Sequence, residues 1–428
     1  MSPNGTAQAV KIPAATAQIS YRDLYVRWEE GHWAASQLDF TQDKIDWTER
    51  MTPEQRRAAV WNFSLFYHGE HEVAEHLSAY AAASPLVEQQ YFLLTQQVDE
   101  ARHAVFFNRF LHEVAGLGDG TQGGGLDATD EQLTWGHRAV FKRLDSVDRN
   151  LRADPSPRRL AAALALYHIF VEATLAVGAQ HMLEQGLERL DLLPGFREGL
   201  RKVSFDEQRH IAFGVKLISD LLQEDPGVQD EIVELFAEIL PEGAAFARPP
   251  GWDSSYFEAL GYSIEDLYEE SMKSLEARLR AAGLPVDSIS RFPVAFDIPP
   301  RQRAIDLIKL LRAGLIGPGD EPAQADPEAM AILFDLMRRR ADPDQVPSGT
   351  VIQWDFTDAE PWYIEMNGSG PSAVQGRAGK PDLKLRVGLQ DWVDMAAGRA
   401  SPQRLLVSRR LRPRGKLRVL GRLERVFA

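Results

Sequence analysis

Two stretches of this chain carry the same chemistry in the same order. Asp99 to Phe106 reads Asp-Glu-Ala-Arg-His-Ala-Val-Phe, and Asp206 to Phe213 reads Asp-Glu-Gln-Arg-His-Ile-Ala-Phe. In each a Glu precedes a His by three places, Glu100 with His103 and Glu207 with His210. Residues three apart share one face of a helix, so each copy offers a carboxylate and an imidazole to one point. Tyr91, Phe92, Leu93 and Leu94 precede the first copy, Phe106, Phe107 and Phe110 follow it, and Ile211, Phe213, Val215 and Leu217 follow the second. Ionisable pairs in such apolar surroundings need compensating charge, and a metal ion supplies it.

The elements around these stretches bring further carboxylates level with them. Thr52 as N-cap and Pro53 in the first turn open a helix that Ser84 and Pro85 close. Glu70 lies 14 residues before Ser84 and Glu100 lies 16 after it. At ~1.5 Å per residue both stand roughly 21–24 Å from the turn of an antiparallel pair. The second half repeats the arithmetic: a helix from Pro157 is expected to end near Gly186, 14 residues after Glu172, and Glu207 lies 13 residues after Pro194. Two hairpins then give Glu70, Glu100, His103, Glu172, Glu207 and His210, the donor set of a carboxylate-bridged dimetal bundle. Glu72 is the rival to Glu70, with His71 between them. For Glu172 the rival reading is a buried ion pair with Arg102 or Arg209. Asp99 and Asp206 point about 100° away from the ligand Glu that each precedes, where a carboxylate can accept the outer N–H of a ligand His. An exposed or Arg-paired carboxylate is the alternative for Asp99.

Composition limits the remaining choices. The chain has 428 residues, more than one core usually covers, so two domains are expected. A formal charge of -14 argues against a nucleic-acid partner. With 0 Cys, disulfides and thiolate metal sites are excluded and His, Asp and Glu remain as ligands. Residues 1–20 lack the apolar core of a signal peptide and read as a disordered lead to a soluble, cytoplasmic protein. Leu160 to Ala179 has the length of a membrane span, but His168 and Glu172 at its middle make it a central bundle helix, so no integral membrane segment is expected.

With these residues in view, roughly Tyr21 to Leu284 resembles the ribonucleotide reductase small-subunit superfamily, and within it the ligand-binding oxidase branch. The resemblance rests on Gly69-Glu70-His71-Glu72-Val73, Asp99-Glu100-Ala101-Arg102-His103, Tyr167-His168-Ile169-Phe170-Val171-Glu172 and Asp206-Glu207-Gln208-Arg209-His210. It implies a ferritin-like four-helix bundle with an Fe/Fe or Mn/Fe centre and dioxygen as co-substrate. Glu70, Glu100 and His103 would hold one ion, Glu172, Glu207 and His210 the other, some carboxylates bridging. In that branch a Val and a Tyr beside the metals become joined by an ether link, and the matching positions are Val73 and Tyr167. Two departures speak against nucleotide reduction. Phe107 stands where reductase subunits store a radical on Tyr, and a further domain replaces their docking tail. His71 stands where the oxidase branch has a second Glu.

Beyond the bundle, residues 289–325 are punctuated by Pro and read as a linker with one helical run, Arg303 to Ala313. A helix from Pro327 to Arg340 and alternating runs at Thr350 to Phe356, Trp362 to Asn367 and Leu383 to Val387 predict a small α+β domain over 326–428. Its order, ending in Gly415-Lys416-Leu417-Arg418-Val419-Leu420-Gly421, resembles a sterol carrier protein type 2 domain, which implies a lipid-like ligand. Trp354, Phe356, Trp362, Tyr363 and Trp392 could equally fill a small core. The cluster Arg404, Arg409, Arg410, Arg412, Arg414, Lys416 and Arg418 reads as a solvated face or a contact for anionic groups.

The expected function is a dimetal oxidoreductase of monooxygenase, desaturase or oxidase type on a lipid-like or largely apolar substrate, with an electron donor, Tyr167 open to self-oxidation, and a homodimeric assembly. The alternatives are an iron-binding or lipid-binding protein without turnover, or an N-oxygenase of a natural-product pathway.

Overall fold

The computed structural model describes residues 19–287, 294–367 and 370–427. The predicted lead over 1–20 lies outside the described residues except for Ile19 and Ser20. The chain forms two compact units, Met1–Val286 and Asp287–Ala428.

The first unit is helical. Its opening helix is α1 (Tyr21–Glu30), capped by Ser20. Helix α2 (Pro53–Ala83) starts as the sequence requires: the Thr52 side chain accepts from the Gln55 backbone, Gln55 returns the bond, and Pro53 occupies the first turn. It pairs with α3 (Val87–Glu113) across a short turn at Ser84. Helix α4 (Trp135–Ala153) packs outside this pair.

The next long helix departs from the expected one. It begins as α5 (Pro157–Leu164), widens into a π-helical segment over Ala165–Ala176, and resumes as α6 (Val177–Arg189). Tyr167, His168 and Glu172 all lie on the π segment, a form frequent at functional sites. The helix also runs past Gly186, which the sequence offered as its end. Gly186 is buried inside α6, where a Cβ would fall 2.0 Å from the Leu260 carbonyl oxygen. The glycine thus permits a close backbone approach and does not stop the helix. Wider π turns advance less per residue, so Glu172 still comes level with Glu207.

Helix α7 (Pro194–Glu224) completes the four-helix bundle. Its N-cap, Leu193, is left-handed at φ 50° and provides no side-chain cap. Two aspartates from far earlier in the chain cap it instead. Asp43 accepts from the Gly195 and Phe196 backbones at 2.9 and 2.7 Å, and Asp46 from the Leu193 backbone at 2.8 Å. Carboxylates there satisfy otherwise orphaned N–H groups and oppose the positive end of the helix dipole. Helices α8 (Val228–Gly243) and α9 (Ile264–Ala281) cover the outside. The span Pro157–Arg189 is apolar and long enough to cross a membrane, but 83% of its apolar window is buried inside the bundle.

The second unit holds α10 (Pro300–Arg312) within the Pro-rich stretch, then α11 (Pro327–Arg340). Leu310, Ala313 and Leu315 from that stretch share a core with Phe334 of α11. Strands β1 (Thr350–Phe356), β2 (Trp362–Asn367) and β4 (Leu383–Val387) match the alternating runs. Strands β3 (Gly370–Gln375) and β5 (Arg412–Gly415) add the two edges that the pattern did not announce. The sheet order is β3-β2-β1-β4-β5, antiparallel except for the β1–β4 pair. The Phe334 ring stacks on Trp362 at 4.7 Å and on Trp392 at 5.6 Å, with Trp354 and Phe356 edge-on, so these aromatics fill the core. Tyr363 is only half-buried, and the arginine cluster from Arg404 to Arg418 lies exposed, with Arg410 paired to Asp391.

Candidate metal centre

At the middle of the bundle α2 supplies Glu70, α3 Glu100 and His103, the π segment Glu172, and α7 Glu207 and His210, every one buried. They fall into two groups of potential ligand atoms. Glu70, Glu100, His103 and Glu207 form one, and Glu100, Glu172, Glu207 and His210 the other. The His103 Nδ1 atom faces Glu70 Oε2 at 3.2 Å, Glu100 Oε2 at 3.5 Å and Glu207 Oε1 at 3.4 Å. The His210 Nδ1 atom faces Glu100 Oε1 at 3.1 Å, Glu172 Oε1 at 3.5 Å and Glu207 Oε2 at 3.4 Å. Glu100 and Glu207 therefore turn one oxygen toward each imidazole, the disposition of bridging carboxylates.

The spacing fits an ion. Donors about 2.1 Å from a common metal stand ~3.0–3.4 Å from one another in octahedral or tetrahedral geometry, close to the separations above. Glu172 Oε2, Glu207 Oε2 and His210 Nδ1 are buried and have no hydrogen-bond partner. Four carboxylates and two bare imidazole nitrogens require positive charge that the surrounding side chains do not bring. Burial, with neighbouring carboxylates adding to it, holds Glu70 and Glu172 well above the usual range. Burial alone would lower His103 and His210, but Glu70 and Glu100 respectively, with other carboxylates, hold both well above theirs. Metal binding at these groups would be accompanied by proton release.

Outside the histidines lies a crossed network. Asp206 accepts from His103 Nε2 at 3.1 Å and Asp99 from His210 Nε2 at 3.1 Å, so each aspartate orients the imidazole of the other helix. Both also meet the arginines. Arg102 binds Asp99 and Asp206, and Arg209 binds the same two at 2.7 and 2.9 Å. The two readings of Asp99 hold together, and Arg102 and Arg209 spend their charge on the aspartates and leave Glu172 alone. Of the rival pair on α2, Glu70 joins the buried group while Glu72 belongs to a separate cluster at the surface.

The sequence did not single out several participants. Trp28 Nε1 donates to Asp99 at 2.9 Å and Trp33 Nε1 to Asp206 at 2.8 Å, contacts 71 and 173 residues apart that no spacing announces. Gln96 was legible in principle, since it lies one turn before Glu100 on the same face of α3. Its amide donates to Glu172 Oε1 at 2.8 Å and to the Tyr167 hydroxyl oxygen at 3.0 Å, and Tyr167 donates to Glu100 Oε1 at 2.7 Å. His168 fixes that amide by donating from Nε2 to Gln96 Oε1 at 3.1 Å. Burial, with His210 adding to it, lowers the His168 pKa to about 3, so the ring is neutral. Gly214 makes room for it, because a Cβ there would come within 2.3 Å of His168. Val73 is buried on α2 one turn from Glu70, and Phe107 is a phenyl ring stacked on Phe66 at 5.7 Å.

This geometry agrees with the comparison to known families. Residues 17–247 match the family model for the ribonucleotide reductase small chain. The chain belongs to the ribonucleotide reductase small-chain family. Its residues 335–428 match the SCP-2 sterol transfer family, so a sterol-carrier-type domain follows the ferritin-like bundle in the sequence. Among solved structures of the family fold, a valine-to-leucine variant of an R2-like ligand-binding oxidase with an anaerobically reconstituted Mn/Fe cofactor is 24% identical. The match covers 62% of this chain and 93% of that one with a TM-score of 0.54. The R2-like ligand-binding oxidase of Sulfolobus acidocaldarius is 24% identical over 68% of this chain and 98% of its own, TM-score 0.53. A tyrosine-to-phenylalanine variant of an R2-like ligand-binding oxidase, with aerobically reconstituted Mn/Fe cofactor, is 25% identical over 62% and 93%, TM-score 0.53.

Proposed function

We propose that this protein is a dioxygen-activating dimetal oxidase or oxygenase acting on a lipid-like or largely apolar molecule. Glu70, Glu100 and His103 would hold one ion and Glu172, Glu207 and His210 the other, with Glu100 and Glu207 placed to serve both. The observation that carries the reading is the pair of oxygens that each bridging glutamate divides between the two imidazoles. Two redox-active ions of the Fe/Fe or Mn/Fe kind, the latter present in the solved relatives, would supply the activation of dioxygen.

The chain's own residues do the rest. Phe92, Phe106, Phe107 and Phe213, all fully buried, keep bulk water from the centre. Asp99 and Asp206 keep each ligand imidazole with Nδ1 turned inward. The chain from Trp33 through Asp206 to His103 offers electrons from an external donor a hydrogen-bonded route. Tyr167 keeps its proton, since burial and then Glu100 and Glu172 raise its pKa well above the usual range. Held against Glu100, Tyr167 is open to self-oxidation. Loss of one hydrogen from its hydroxyl and one from the tertiary carbon of Val73, with both electrons passing to dioxygen, would leave an ether bond. The match to the sterol transfer family supports the lipid-like substrate.

One feature supports the expected assembly. Val87, Tyr91, Leu94, Val98 and Val105 recur at helical spacing on α3 and are exposed, Tyr91 by 57%. A stripe of this kind suits a second copy of the bundle.

The test is elemental analysis and oxygen uptake after aerobic loading with iron, alone or with manganese, followed by product analysis with added fatty acids. About two ions per chain are expected, with oxygen consumed and an oxidised product formed. Glu207→Ala or His103→Ala should lose at least one ion, and full occupancy in either variant sinks the assignment. Peptide mapping reads the finer point, a Val73 peptide joined to a Tyr167 peptide less two hydrogens, absent in Tyr167→Phe.

A further inference from the structure

A second group of ligand-type side chains lies at the surface of the bundle, away from the buried centre. Glu72 and His76 stand four residues apart on α2, and Asp145 and Asp148 three apart on α4, so each pair shares a helix face and the two faces meet. Potential ligand atoms of Glu72, His76 and Asp145 lie within 4.8 Å of one another.

The imidazole decides how the group is read. The His76 side chain is 8% exposed, and its Nε2 atom has no hydrogen-bond partner although Asp145 Oδ1 is 3.3 Å away. Its other nitrogen, Nδ1, faces Asp148 Oδ2 at 3.6 Å. Asp148 is in turn held by Arg152 Nε at 2.9 Å, and Arg152 is tied to Ser78 Oγ at 3.0 Å. Asp148, itself fixed by Arg152, thus lies on the Nδ1 side of the ring, while Nε2 is turned to the Asp145 carboxylate. A buried ring nitrogen that faces a carboxylate at 3.3 Å without a hydrogen bond is the kind of gap that a cation fills. The 3.3 Å separation is again that of two donors around one ion at about 2.1 Å.

We propose that Glu72, His76 and Asp145 bind one divalent first-row ion such as Mn2+ or Zn2+, in a site separate from the buried pair. One nitrogen and two oxygens suit borderline ions of this row. Asp145, 46% exposed in its side chain, leaves the remaining coordination positions to water. The ion is therefore exchangeable, unlike one sealed in the bundle core.

The experiment uses the full chain with its buried centre filled, titrated with Mn2+ while free Mn2+ is followed by electron paramagnetic resonance. One further ion per chain is expected. Asp145→Asn, a conservative change at an exposed position, should weaken it at least tenfold and His76→Ala should remove it, both keeping the buried ions. Glu207→Ala should deplete the buried centre yet retain the surface ion, which separates this proposal from the fate of the dimetal reading. Identical isotherms for Asp145→Asn and the unaltered protein, no ion beyond the buried pair at millimolar Mn2+, or loss of the surface ion in Glu207→Ala would each overturn it.

Discussion

Gln96 shows how much of the centre rests on a residue that need not touch an ion. Its amide holds Glu172 and the Tyr167 hydroxyl, and His168 holds the amide. Gln96→Leu keeps the volume and removes both donors, so Glu172 and Tyr167 lose their fixed positions. Changes of this kind around a metal ligand cost about 10–100-fold in metal affinity. Equilibrium dialysis should show weakening of that order at the ion nearest Glu172, with the fold intact by circular dichroism. Unchanged affinity would mean that the bundle backbone alone positions Glu172. The buried glutamates and histidines that meet at the middle of the bundle were legible in the sequence because helical spacing converts three residues of separation into one face. Trp28 and Trp33 were not, because nothing local links an indole to an aspartate on another helix.

Helix boundaries divide in the same way. The start of α2 was legible from Thr52 and Pro53, since capping is a local bargain between neighbours. The cap of α7 was not, because Asp43 and Asp46 reach it from some 150 residues away. Nor was the π segment, whose extra residue per turn leaves no mark in an apolar stretch without polar punctuation. Asp43→Ala should strand the Gly195 and Phe196 amides, a loss of about 1–3 kcal/mol, read as a lower denaturation midpoint at unchanged slope. A midpoint equal to that of the unaltered protein would show that water takes over the cap. A second consequence concerns pH. Burial lowers His137 to a pKa of about 3 and His68 to about 4. Their unfolded values are near 6.5, so the unfolded chain binds protons that the fold refuses. Stability from these two groups is full above pH ~6.5 and declines as pH falls toward the folded values. Thermal midpoints taken between pH ~6.5 and ~5, above the main carboxylate range, should fall with acid, and His137→Gln should flatten that fall. A slope unaffected by the substitution would assign the effect to other groups.

Across the whole molecule, the exposed stripe of Val87, Tyr91, Leu94, Val98 and Val105 sets the expected assembly. Leu94→Glu places charge on it while leaving the buried face of α3 untouched. Light scattering should report a dimer for the unaltered protein and a monomer for the variant, and a monomer in both cases would remove the dimer. The strands at Thr350, Trp362 and Leu383 were visible as alternating runs, but β3 was not, since Gly370-Pro371-Ser372 lacks the residues that favour strands and is held by its neighbour β2. The crossing of Asp99 to His210 and of Asp206 to His103 reaches further. Each helical hairpin carries a Glu and a Glu-x-x-His yet borrows from the other the carboxylate that sets its imidazole. The two hairpins depend on each other in this way, so a hairpin cut free would retain its donors and lose their aim.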